Sequence, residues 1–282
     1  MKNLIRKLIN KAERNSYFSV LKTIYHKTPA YNRLLKKQKE LKSKEKSIIK
    51  KYLKNNFKIR YGPFAGIKYI KNSFGSVLLP KIIGSYEEPI QEWINQAIKR
   101  KYYKVIDLGS AEGYYAIGMA KNLPQSTVLA SDIDPKARHL CRILARKNNC
   151  NNIKIVGKLD HQRLNKEIIR NKTIIICDIE GNELELLEPN KVKKLNFCDI
   201  ICELHDDLVS NNITEEMIKR FHKTHSIEIV VDRPREKNRY KILNSLQTDI
   251  VSFILDERRY GISRWARLIK NNNKKTSKTS HI

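Results

Sequence analysis

The sequence predicts an α/β fold: a doubly wound, mainly parallel sheet of seven strands. Three observations lead there. From about residue 103, short apolar runs alternate with stretches of helical periodicity, the pattern of strands joined by crossover helices. The first run, Val105-Ile106-Asp107-Leu108, passes into the turn Gly109-Ser110-Ala111-Glu112-Gly113 and then into a helix. The second ends at Asp132, and Asp134-Pro135 follows as an N-cap and a first helical residue. In such sheets crossovers are right-handed, and ligands bind outside the carboxyl ends of the strands.

Each element follows from its pattern. Residues 2–14 read as a basic amphipathic helix, with Leu4, Ile5, Leu8, Ile9 and Ala12 on one face and Lys2, Arg6, Lys7, Lys11 and Arg14 on the other. Such a helix either lies on an anionic surface or packs on its own domain. Residues 33–54 form a Lys-rich helical or loosely ordered stretch. Alternation at 57–61 and 67–70 around Gly62-Pro63-Phe64-Ala65-Gly66 predicts a β-hairpin. A helix follows at 87–101, with Ile90, Trp93, Ile94, Ala97 and Ile98 on one face. Strands are expected at 103–108, 127–132, 153–156, 173–178, 198–204, 227–232 and 249–255. The last two lack an intervening helix, so they are expected as an antiparallel pair at the sheet edge. The chain thus divides into a basic helical extension (1–56), a hairpin and helix (57–101), the core domain (102–260) and a basic tail (261–282).

Composition narrows the class. The chain has 282 residues, 40 % of them hydrophobic, enough for a core. Its apolar runs fall far short of the ~18 residues of a membrane span, and no apolar segment of signal-peptide type follows the N-terminus. The net charge is +28. Residues 1–60 carry 19 Lys/Arg against 3 acids, and residues 258–282 carry 8 against none, so the middle is nearly neutral. Basic ends can hold nucleic acid or an anionic membrane surface, or can reflect the Lys, Asn and Ile favoured by AT-rich codons. The five cysteines contain no CxxC pair, which predicts reduced thiols in the cytoplasm, with peripheral membrane attachment through the basic ends as an option. His222 and His225 lack a third ligand and are expected at a solvated helix end rather than on zinc.

The chemistry centres on 105–115. Gly109 permits the tight turn, and Gly113 lets a ligand approach the helix start. The spacing is not GxGxxG, and Asp107 is awkward beside a pyrophosphate; it suits a ligand bearing an ammonium, such as the methionine end of S-adenosylmethionine. Asp132 ends the next strand, where an acid grips a ribose diol, while Asp134 caps the helix.

On these residues, on Asp178-Ile179-Glu180-Gly181-Asn182-Glu183 and on Ile201-Cys202-Glu203-Leu204-His205, the chain resembles class I S-adenosylmethionine-dependent methyltransferases of Rossmann-like fold, and more narrowly the FkbM family. The resemblance covers roughly 80–260. It implies that Asp107, Gly109 and Gly113 hold the methionine part, that Asp132 takes the ribose, and that Asp178 faces the reacting centre; Ser110 and Glu112 of the same turn are further cofactor-binding candidates. Ser110-Ala111-Glu112 departs from the family's commoner Gly-Ala-Asn. Asp160 is the candidate for the adenine amine. The family is associated with O-methylation of small molecules and sugars, which implies a small hydroxylated substrate or glycan. Base methylation is disfavoured, because Asp178-Ile179-Glu180-Gly181 stands where base-amine methyltransferases resemble one another in a Pro-Pro-aromatic segment.

Methyl transfer from a sulfonium needs a positioned acceptor and a proton acceptor. The candidates are His205, Asp178, Glu203 and Glu180, with His205 the natural base for a hydroxyl. A solvated His205 beside Asp206 and Asp207 is the alternative. No metal is expected, although these carboxylates could hold a divalent cation that orients a diol. Two other functions stay open: an RNA or ribosomal-protein methyltransferase using the basic ends, and a binding protein that kept the fold without the chemistry.

Overall fold

The computed structural model describes residues 29–206, 212–259, 261 and 263–271. The helix expected at 2–14 and the end of the basic tail lie outside them. The chain divides into two compact units, 1–56 and 57–282. In the first, α1 (Pro29–Leu53) occupies the Lys-rich stretch; Lys50 and Lys51 in its last turn favour the negative end of the helix dipole.

The second unit opens with the segment expected as a hairpin. It pairs as one: the antiparallel bridge Lys58 to Lys68 is flanked by amides donating from Ile59 to the Ile67 carbonyl, from Gly66 to that of Ile59 and from Tyr69 to that of Phe57. The arms also bond elsewhere. The amides of Arg60 and Tyr61 donate to the carbonyls of Ile82 and Ile83, and that of Lys68 donates to the Asn148 side chain. Two helices follow, α2 (Leu78–Ile83) and α3 (Gln91–Arg100), the latter within the predicted 87–101.

The alternating core comes next: β1 (Lys104–Leu108), α4 (Tyr114–Asn122), β2 (Thr127–Ser131), α5 (Pro135–Lys147), β3 (Ile153–Val156), α6 (His161–Glu167), β4 (Thr173–Cys177), α7 (Glu183–Leu186), β5 (Asp199–Leu204), α8 (Ile213–Phe221), β6 (His225–Val231), α9 (Thr248–Leu255) and β7 (Arg264–Lys270). The seven strands lie in the order β3-β2-β1-β4-β5-β7-β6. β1 to β5 pair in parallel, and β7 runs antiparallel to both β5 and β6. The central β1 and β4 are buried along their whole length, which is why they read as continuous apolar runs. The order reverses between β1 and β4, which makes their carboxyl ends the switch point where such sheets bind ligands.

Two strand-level expectations are corrected. Residues 249–255, expected as a strand, lie in α9, which buries Val251 and Ile254 at helical spacing. Short apolar runs fit either period, and here tertiary packing decides. The last strand is instead β7, inside the segment expected as basic tail. Its Trp265, Ala266 and Leu268 are buried, and its charges have partners: Arg264 with Asp206, Arg267 with Glu228 and Gln96. His225 is not solvated either; it is buried at the start of β6, with Nε2 bonded to the Cys198 carbonyl at 2.9 Å. All five cysteines are buried and free. Among the described residues no helix is long and apolar enough to cross a membrane.

Candidate active site

β1 carries Asp107 into the sheet interior, where it is only 3 % exposed. Burial pushes its pKa up to about 7; the Ala116 amide opposes this, while Asp132 and Glu87 add repulsion. Among the described residues Asp107 Oδ2 has no hydrogen-bond partner, and neither does the buried Oγ of Ser110. Leaving such an atom unsatisfied costs about 1–3 kcal/mol, which a ligand with donors would recover. Two orphaned polar atoms therefore sit in one turn at the switch point.

The turn is shaped by packing. Gly109 has φ +82°, and a Cβ there would stand 1.6 Å from the Asp178 carbonyl oxygen. Gly113, expected to admit a ligand, instead admits a neighbour: its Cβ would meet the Cys141 Sγ of α5 at 2.7 Å. Between them Ala111 takes a left-handed conformation, φ 46°, and donates its amide to Asp132 Oδ2 at 2.8 Å. Asp132 Oδ1 accepts the Asp134 amide, and Asp134 accepts that of Lys136 as the N-cap of α5. Each Asp132 oxygen keeps lone pairs, and the side chain is half-buried. Beside it Ile133 is 76 % exposed, a large apolar side chain that the sequence analysis did not single out.

Glu112 leaves the cofactor set. It is fully buried, and Oε1 accepts from Tyr69 (2.6 Å), Ser73 (2.8 Å) and Lys81 (2.7 Å), while Oε2 accepts the Phe74 amide. Burial works against its charge, but Lys81 outweighs it and holds the carboxyl below the usual range. Its role is to tie the 69–81 segment to the turn. Asp160 caps α6 by accepting the Arg163 amide at 2.8 Å.

The second half of the site lies at the ends of β4 and β5. His205 Nδ1 donates to Glu183 Oε1 at 2.8 Å. Glu183 is fully buried and also accepts the amides of Gly181 and Ile179, so the ring is held by a carboxylate that is itself held. Nε2 then faces Asp178 Oδ1 at 3.6 Å, Glu203 Oε2 at 3.8 Å and Glu180 Oε2 at 3.9 Å. The other Glu203 oxygen is bonded to Arg259 at 2.6 Å and to Ser263. Arg259 reaches on to Glu87, and Tyr86 packs edge-on against Tyr114 nearby.

This arrangement bears on the role expected of His205. Burial alone would lower its pKa, but the Glu183 hydrogen bond and the charges of Asp178 and Glu203 raise it to about 10. That shift favours the imidazolium, which has no lone pair to act as base. It is also mostly buried, not the solvated alternative. Burial first and Glu203 second push the Asp178 carboxyl well up, with the charge of His205 opposing them. The structure thus brings together Asp178, Glu180, Glu203 and His205, and separately Asp107, Ser110 and Asp132. Sequence reasoning missed the roles of Glu183 and Arg259. The first lay within the Asp178–Glu183 segment; the second was hidden among basic residues near the C-terminus.

No protein-family model matches the chain, and no curated protein matches it in sequence. Solved structures resemble it in fold. Cofactor-bound Rv0187 from MTB shares 10 % identity over 66 % of this chain and 81 % of that one, with a TM-score of 0.44. A precorrin-6y C5,15-methyltransferase from Geobacter metallireducens GS-15 shares 12 % over 64 % and 89 %, TM-score 0.43. An O-methyltransferase from Bacillus cereus in complex with SAH shares 14 % over 62 % and 77 %, TM-score 0.42.

Proposed function

We propose that this protein is an S-adenosylmethionine-dependent methyltransferase that methylates a hydroxyl of a small molecule such as a sugar. The observation that carries the reading is the buried Asp107 Oδ2, which has no partner among the described residues, at the switch point of the sheet, with the unpartnered Ser110 hydroxyl three residues on. That pair asks for a cationic donor, and an amino-acid ammonium fits it. Asp132 presents lone pairs for a ribose diol, and exposed Ile133 offers an apolar surface to the flat face of a base. When bound, the cofactor supplies a methyl group already activated for displacement.

The chain's own residues do the rest. Asp178, at the end of β4, accepts the proton that the acceptor hydroxyl gives up. His205, charged and clamped by Glu183, keeps the neighbouring carboxylates in place. Arg259 holds Glu203 from the far side. Asp178, Glu180 and Glu203 line the acceptor end with negative charge, which favours a neutral polyol over a phosphate-bearing chain. The narrower likeness to FkbM proteins rests on the Asp178–Glu183 segment and on Glu203 and His205. Five buried thiols fit the reducing cytoplasm.

Isothermal titration with S-adenosylhomocysteine, followed by labelled-methyl transfer to pools of sugars and other polyols, tests the reading. Saturable binding and label in a polyol pool are expected. A folded sample that binds no S-adenosylhomocysteine overturns it.

A further inference from the structure

We propose that Asp178, Glu203 and His205 form a binding site for one divalent first-row transition-metal cation. One candidate ligand atom from each residue lies within 4.8 Å of the other two. Ligand atoms bound to one cation at about 2.0–2.2 Å stand roughly 3–4 Å apart. The distances from Nε2 to Asp178 Oδ1 and Glu203 Oε2, 3.6 and 3.8 Å, fall in that range and are too long for hydrogen bonds.

The surroundings of the three residues point the same way. Glu203 is 4 % exposed, and its Oε2 stands 3.8 Å from Nε2, while Oε1 is clamped by Arg259 and Ser263. Asp178 Oδ1 is a buried oxygen without a hydrogen-bond partner among the described residues. On the far side of the ring, Nδ1–H is bonded to buried Glu183. A carboxylate accepting from the non-ligating nitrogen is the outer-shell arrangement that orients metal-bound histidines. On binding, the cation displaces the Nε2 proton of His205, so two carboxylates and a neutral imidazole make a donor set of charge −2, which one divalent cation balances. Oxygen and imidazole donors without thiolate suit Mn2+, Fe2+, Co2+ or Zn2+ rather than Cu(I).

The binding site stands on its own geometry; its role rests on the methyltransferase reading. An open coordination position there holds the acceptor oxygen at the carboxyl ends of β4 and β5. Asp178 ligates through Oδ1 and keeps Oδ2 for the proton.

Mn2+ titrated into the chelator-stripped full chain, followed by loss of the free-ion EPR signal, tests the site. A parallel S-adenosylhomocysteine titration of the same samples reports on fold and cofactor site. We expect one saturable Mn2+ site in the parent. Its affinity falls at least tenfold in Glu203→Gln and in His205→Ala, with S-adenosylhomocysteine binding within twofold of the parent. A Mn2+-dependent rise in the parent's melting temperature supports the site without relying on any variant. No saturable Mn2+ binding by a parent that binds S-adenosylhomocysteine overturns the proposal, as do variants that bind Mn2+ like the parent. Mn2+ binding without S-adenosylhomocysteine binding sustains the site and removes the methyltransferase reading.

Discussion

The two halves of the candidate site are built in opposite ways. The half at β1 and β2 is made within one short stretch of chain: Asp107, Gly109, Ser110 and Ala111 are nearly contiguous, and Asp132 closes the turn by one backbone hydrogen bond. The half at β4 and β5 is assembled from afar. Asp178, Glu183, Glu203, His205 and Arg259 meet only because the sheet places their strand ends side by side. Backbone conformation shapes the first half; mutual charge shapes the second. Substitutions in the first should therefore act through local geometry, and in the second through ionisation and ligand balance.

The largest effect is expected where the two halves are tied to the rest of the molecule. Glu112→Ala leaves Lys81 buried at 2 % exposure without its partner. Breaking one side of a buried pair costs about 3–5 kcal/mol, so urea unfolding should show a loss of that order. A loss near zero would mean that the 69–81 segment is not anchored through this carboxylate. Gly109→Ala comes next. Its Cβ collides with the Asp178 carbonyl in a left-handed conformation, so a loss of about 3 kcal/mol is expected from clash and strain together. Because this glycine joins the halves, the same variant should weaken Mn2+ binding as well as cofactor binding.

Smaller effects separate the paired acids. Asp132→Ala should weaken S-adenosylhomocysteine binding by about 1.5–3 kcal/mol, the scale of a hydrogen bond to a charged group. Asp134→Ala should lower stability by roughly 1 kcal/mol as a lost N-cap, with affinity nearly unchanged. The reverse pattern, read by calorimetry and urea melts, would exchange their assignments.

The same contrast explains what the sequence made legible. The turn at 107–113 could be read because strand, glycine turn and helix follow one another, and Asp134-Pro135 because a cap is a local device. β7 could not, because Arg264 and Arg267 look like a solvated tail until Asp206, Glu228 and Gln96 are brought to them across the sheet. α9 was misread because a run of apolar, β-branched residues carries no period of its own. Glu112 sits in the turn by sequence, yet its partners Tyr69 and Lys81 lie 43 and 31 residues away. The charge of His205 was hidden for the same reason: neighbours from two strand ends and a loop determine it.

The central claim is that buried Asp107 holds the cationic end of a cofactor, and its own ionisation tests that claim. Its pKa lies above that of an unfolded aspartate, near 7 against about 3.9. Folding therefore favours the protonated form, and its contribution to stability is lost as pH rises from about 4 through 7. Binding a cation favours the ionised form, so affinity should rise with pH and level off above 7. The decisive measurement is the S-adenosylhomocysteine affinity from pH 5.5 to 8.5 for the parent and for Asp107→Asn. The account predicts that the parent's affinity climbs toward tenfold per pH unit below about 7 and reaches a plateau above it, while the variant binds more weakly, with this pH-dependent step removed. Parent and variant with equal affinity and the same pH profile would contradict it.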